Sequence, residues 1–233
     1  MTRTGATVAL VGVNLLWAVQ YPALAVAGRV LGPGTLAFWQ VAGGLAVVGV
    51  AGRLAGHRPS RYRDARGVAL LGLLGIALPA VCMPWGITRS TASHAALLSL
   101  TVPLLMSLFA WPLLGERLRA RTGVALGLGL AGAAMASRSE LAGHSFDPRL
   151  LLGTAAILVA TAGNAFYNVG AKRLAPRLGA LTVLGGSYLA ALPPTLLFAA
   201  TEPLPPWRAD RTVAATLVAV LAAGVVPWGL GMV

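Results

Sequence analysis

The sequence predicts an all-α integral membrane protein, an inverted repeat of five-helix units with about eight transmembrane helices present of an expected ten. Three observations predict it: a charge-poor composition, long uncharged runs, and an internal offset that joins spans five helices apart. Of 233 residues, 57% are apolar and only 10% charged, and mean hydropathy is +0.78. A soluble domain carries about a quarter of its residues as charges, so a soluble enzyme of this make-up would lack polar surface. The apolar content excludes a disordered chain, and the single Cys82 excludes a disulfide-stapled one.

The 18 basic and 6 acidic residues leave uncharged runs at 4–28, 30–52, 67–88, 90–115, 122–137, 150–171, 178–201 and 212–233. A helix needs about 20 apolar residues, at 1.5 Å each, to cross ~30 Å of hydrocarbon. Seven runs reach that length. The fifth, of 16 residues, suffices if Arg121 and Arg138 snorkel to opposite interfaces. Barrel strands are excluded, because the runs do not alternate and are about twice too long.

Net charge is +12, which in a soluble chain would suggest nucleic acid. Its distribution points elsewhere. Alternate connections, holding Arg3, 53–66, 116–121 and 172–177, carry 12 of the 18 cations and two acids; the other side carries six cations and four acids. The positive-inside rule accounts for this asymmetry and puts the N-terminus in the cytoplasm, with no nucleic-acid partner. Ala23-Leu24-Ala25 imitates a signal-peptidase site, but Asn14, Gln20, Tyr21 and Pro22 are too polar for a signal core, so the first run reads as a retained span.

Shifting the chain by 143 places Pro84-Trp85-Gly86-Ile87 on Pro227-Trp228-Gly229-Leu230, and a shift by 147 places the polar positions of span 1 on those of span 6. Both shifts join helices five apart. Because five is odd, the second unit enters the membrane from the opposite side, as in secondary transporters whose substrate site lies at the midplane between halves. The expected division is a first unit at 4–137, an external loop at 138–149 and a second unit at 150–233. On this period the second unit reads as C-terminally incomplete, short of two spans.

Polar groups inside a bilayer usually face the bundle interior. Thr7, Asn14, Trp17 and Tyr21 lie within about 80° of one another on span 1 at 100° per residue, and Thr161, Asn164, Tyr167 and Asn168 occupy about 120° on span 6. Two facing stripes make a hydrophilic cavity, or else hydrogen-bonded helix contacts. The expected cavity residues are Asn14, Trp17, Tyr21, Trp85, Asn164, Tyr167, Asn168 and Trp228; the two end tryptophans, Trp85 and Trp228, serve equally as cavity walls or interfacial anchors. Pro22, Pro79, Pro84, Pro103, Pro112, Pro193 and Pro227 should kink their spans. Glycines 123, 127, 129 and 132 suggest close packing of span 5. No Asp, Glu, Lys or Arg falls within a span. His94, five residues after Arg89, reads as an interfacial side chain.

Catalytic chemistry finds no foothold. His57 and His144 fall in loops, no Cys/His cluster has metal spacing, and no Gly-x-Ser-x-Gly elbow occurs. Cys82, among apolar neighbours, reads as an inert thiol. The sequence calls for no catalytic residue, no metal and no cofactor.

The most recognisable stretch runs Ala95-Ala96-Leu97-Leu98-Ser99-Leu100-Thr101-Val102-Pro103-Leu104, then Leu113-Leu114-Gly115-Glu116-Arg117-Leu118, then Gly123, Gly127 and Gly132. It resembles the EamA domain of the drug/metabolite transporter superfamily, with its hairpin between the fourth and fifth helices; Asn164 to Leu174 resembles the start of that family's second repeat. The resemblance implies ten helices in two inverted repeats, cytoplasmic termini, and export of small metabolites or drugs. Two features depart from it. Gln40 stands where many members carry an arginine, and no second Gly-Glu-Arg hairpin is present. Glu116, at a helix C-terminus where the dipole disfavours an anion, reads with Arg117 as a charged structural turn.

The resulting expectation is an inner-membrane secondary transporter that exports neutral or zwitterionic solutes, such as amino acids, by alternating access. A truncated, non-transporting membrane protein or scaffold is the alternative. Partners are the small-molecule solute and the lipid bilayer, with homo-oligomerisation left open.

Overall fold

The computed structural model describes residues 20–57, 64–116, 120–141 and 148–203, together with Thr7, Val11, Leu15 and Ala18. Among these residues every regular element is helical. Helix α1 is seen over 20–27 and turns at 28–30, where Gly28 and Leu31 donate to the carbonyls of Leu24 and Ala27. Thr7, Val11, Leu15 and Ala18 are helical and exposed, on one face at spacings of four, four and three. Next comes α2 (Pro33–Leu54), with proline in its first turn, where a missing N–H costs nothing.

The third span is not one regular helix. It consists of α3 (Ala65–Gly72), a π-turn (Leu73–Ala77) and α4 (Leu78–Ile87). The cause is Pro79, whose ring would clash with the carbonyl four residues back, at Gly75; a wider turn there relieves the clash. Asp64 caps α3 by accepting from the Gly67 N–H at 3.0 Å. The fourth span is likewise broken, into α5 (Ala92–Ser99) and α6 (Val102–Leu114), just ahead of Pro103. Ser99 and Thr101 donate to the Ala95 and Leu98 carbonyls at 2.8 and 2.7 Å, so both hydroxyls are satisfied within their own span. Helix α6 ends at Gly115 with φ +71°, a left-handed cap that needs no Cβ. That cap is the physical content of the Leu-Leu-Gly-Glu sequence.

Helix α7 (Ala120–Leu141) runs 22 residues, past the 16-residue uncharged run. Helix α8 (Pro148–Leu178) has 31 residues, about 46 Å at 1.5 Å per residue. It turns at Gly179, φ +85°, directly into α9 (Ala180–Ala200). Pro193 and Pro194 lie inside α9 without ending it; Thr195 donates to the Ala191 and Leu192 carbonyls, both at 3.0 Å.

Five described stretches are long and apolar enough to cross a membrane: Pro33–Leu54, Ala65–Ile87, Ala92–Leu114, Pro148–Leu178 and Ala180–Ala200. They match the second, third, fourth, sixth and seventh uncharged runs, the sixth extended by seven residues, from Lys172 to Leu178. Leu108, Trp111, Leu128 and Leu197 are all more than half exposed, an outer apolar surface suited to lipid rather than water.

Two buried clusters hold the bundle. One joins Val41 and Val48 of α2, Leu71 of α3, Ile76 of the π-turn, Tyr167 of α8 and Tyr188 of α9. The other joins Leu24 of α1, Leu36 of α2, Met83 of α4, Ala95 of α5 and Ile157 of α8. The antiparallel α2–α9 seam is tightly packed: a Cβ added at Gly34 would lie 2.5 Å from the Phe198 ring, and one at Gly44 would lie 2.6 Å from the Tyr188 ring.

One expectation, for His94, is corrected here, and another, for span 5, finds no packing partner among the described residues. Cβ atoms added at Gly123, Gly127, Gly129 and Gly132 would meet nothing within 4 Å. Among the described residues, then, the small-residue stripe of α7 packs against no helix. His94 is only 4% exposed rather than interfacial. Its Nε2 lies 3.1 Å from Thr154 Oγ1. Because Thr154 already donates to the Leu150 carbonyl at 2.8 Å, His94 is the donor in that contact.

Candidate functional site

Helix α8 carries the densest polar stripe of the described chain. Asn164 falls at its middle, with Asn168 one turn on and Lys172 one turn further, the three within about 80° around the axis. Asn168 Nδ2 donates to the Asn164 carbonyl at 2.8 Å, which leaves the Asn168 amide oxygen to accept. Asn164 itself is 8% exposed, and its Oδ1 is buried without a hydrogen-bond partner. Gln40 Nε2 is the other such buried atom among the described residues. An unsatisfied buried polar atom costs about 1–3 kcal/mol, so each invites a ligand or water.

A cavity of about 770 Å³ opens between α6, α7 and α8, and its polar lining includes Asn168, Ser107, Thr122, Glu116 and Lys172. Its apolar walls are Pro103, Met106, Ala110, Leu114 and Val169. This volume is in the range of small-molecule sites, roughly 300–1,000 Å³. At its rim Lys172 Nζ donates to Glu116 Oε1 at 2.8 Å, with both side chains more than half exposed. Ser107 donates to the Pro103 carbonyl at 2.9 Å, so its oxygen remains an acceptor. A smaller cavity lies at the opposite end of the bundle, lined by Thr88, Arg89, Ser90 and Arg149.

The expected cavity residues separate. Asn168 lines the large cavity, one turn from Asn164 on the same stripe. Tyr167 is 4% exposed and sits in the core cluster with Tyr188, against Gly75 of the π-turn. Tyr21 donates from its hydroxyl to Ser99 Oγ, tying α1 to α5. Trp85 lies near the end of α4 with the Arg89 guanidinium 3.6 Å over its ring, and its carbonyl accepts from Arg89 at 3.2 Å. Asn14, Trp17, Trp228 and Arg117 lie outside the described residues. Glu116, expected at a charged turn with Arg117, has Lys172 of α8 as its ion-pair partner.

Sequence reasoning passed over Lys172 and Ser107. Lys172 was counted among the cations that set topology; its spacing of four and eight residues from the two asparagines is the signal that could have placed it. Ser107 sits alone in an apolar stretch and gives no such signal.

A bundle of long apolar helices, with a polar cavity reached from one end, defines a multi-pass membrane protein of transporter architecture. The EamA-like transporter family model matches residues 4–138, and the chain belongs to that family. Over 109 residues it is 26% identical to "Uncharacterized transporter YetK" of Bacillus subtilis (strain 168); the match covers 47% of this chain and 33% of that protein. The chain thus spans about a third of the length of the curated relative it matches. A solved crystal structure is similar over 99% of this chain and 80% of its own, with 27% identity and a TM-score of 0.72.

Proposed function

We propose that the protein is a secondary transporter of the drug/metabolite type, exporting small neutral or zwitterionic solutes across the inner membrane by alternating access. The observation that carries this reading is the stripe on α8. A buried amide with an unpartnered oxygen at mid-helix leads, one turn at a time, to Asn168 and to a cavity open at one bundle end. In hydrocarbon such a stripe is costly unless it serves a polar passage. The described lining carries one charge of each sign, a balance that suits neutral or zwitterionic solutes better than multiply charged ones.

In this reading two inverted units, 4–137 and 150–233 joined by the external loop 138–149, rock about the site. Asn14, Trp17, Tyr21, Trp85, Tyr167 and Trp228 complete the passage or its supporting walls, and Glu116 with Arg117 fixes the turn after α6. The end bearing Glu116 and Lys172 faces the cytoplasm, as the excess of cations there requires.

Purified protein in liposomes should move a neutral or zwitterionic solute such as L-leucine, and Asn164→Leu with Asn168→Leu should reduce the flux by at least about tenfold. Unchanged flux in the double variant removes the stripe from the passage.

A further inference from the structure

The ion pair at the cavity rim has a chemistry the rest of the lining lacks. Glu116 and Lys172 are the only charged side chains among the described lining residues, one of each sign, and they sit on different helices, at the end of α6 and on α8. The pair is 54% exposed on the Glu116 side and 64% on the Lys172 side. Exposed pairs contribute only about 0–1 kcal/mol, so a ligand can replace this one at little cost. Inward of it the wall turns apolar at Ala110, Met106 and Pro103, with Asn168 and Val169 on the α8 side.

We propose that Glu116 and Lys172 form a split ligand subsite, Glu116 taking the ammonium and Lys172 the carboxylate of a zwitterion whose apolar substituent lies against Met106 and Ala110. This rests on the transporter reading and adds residues and a charge requirement to it. Binding exchanges one protein ion pair for two protein–ligand pairs, and the described lining stays electrically neutral. A ligand with a single charge would pair with one partner and strand the other, which grows costly as the mouth closes and water leaves. Selectivity for paired charges is therefore built into the rim.

The test measures equilibrium binding of radiolabelled L-leucine to the purified full chain in detergent, competed by isopentylamine and by 4-methylpentanoate, which each keep the side chain and one charge. The proposal expects both analogues to bind at least about tenfold more weakly than leucine. Glu116→Gln and Lys172→Gln should each weaken leucine binding by a similar factor, and the charge-exchanged double variant Glu116→Lys/Lys172→Glu should recover most of it. Either analogue binding as tightly as leucine, either single variant binding like the parent, or no binding of leucine at all overturns the subsite. The same preparations are reconstituted for flux. Leucine bound with the expected charge selectivity but not moved by any preparation would sink the transporter reading and leave the subsite standing. Leucine moved equally by parent and single variants would do the reverse.

Discussion

Glu202, just beyond α9, grips Thr35 in the first turn of α2. One carboxylate oxygen accepts from the Thr35 N–H and hydroxyl, both at 2.8 Å, and the other accepts from the Gly34 N–H at 2.7 Å. A helix N-terminus offers unpaired N–H groups and a partial positive charge, so an anion is the fitting cap. At the far end of the same pair, His57 Nε2 lies 2.9 Å from Thr182 Oγ1. The α2–α9 seam is thus fastened at both ends.

The first prediction concerns that cap. Glu202→Ala should lower stability by about 2 kcal/mol, the scale of a charge-assisted hydrogen bond with its dipole contribution, and Glu202→Gln by about half as much. Thermal unfolding in detergent reads both. Equal stability of parent and alanine variant would show that the cap does not fasten the seam.

Backbone proximity at the seam gives the second. Gly44→Ala pushes a methyl to 2.6 Å from Tyr188, which is fully buried and has no room to yield. Overpacking of this kind costs about 1–3 kcal/mol. Gly127→Ala on α7 meets nothing within 4 Å and should be neutral or stabilising by up to about 1 kcal/mol. A reversed order would contradict the packing described.

A third prediction follows from the burial of His94. Replacing it with leucine strands the Thr154 hydroxyl contact in the α5–α8 interface and should cost about 1–3 kcal/mol. An interfacial histidine would leave the melting temperature almost unchanged, so the same measurement decides between the two placements.

Tyr21 and Ser99 supply a fourth. Their contact joins α1 to α5, and a double-mutant cycle with Tyr21→Phe and Ser99→Ala should give a coupling of about 0.5–2 kcal/mol. Strict additivity would mean that the hydroxyls do not meet.

Charge gaps made most of the fold legible. Spans at 30–52, 150–171 and 178–201 became Pro33–Leu54, Pro148–Leu178 and Ala180–Ala200, because ionised side chains stop where hydrocarbon begins. Prolines marked the π-turn before Pro79 and the break before Pro103, although Pro193 and Pro194 left α9 continuous. The site was legible only in part. Tyr167 and Asn168 share one stripe in sequence, yet the tyrosine goes to the core and the asparagine to the cavity. A helical wheel resolves direction to about 100° and cannot separate neighbours at the edge of a face. The place of His94 depends on Thr154, 60 residues away, a contact that its spacing from Arg89 does not reveal.

Aqueous access to the cavity is the most direct test of the central claim. In a Cys82→Ser background, single cysteines at Ser107 and Asn168 would be reacted with a membrane-impermeant maleimide in reconstituted vesicles, beside controls at lipid-facing Leu108 and Leu197. The account predicts fast labelling at 107 and 168 and little at 108 and 197. Labelling of Ser107 and Asn168 no faster than that of Leu108 would contradict a polar passage through this bundle.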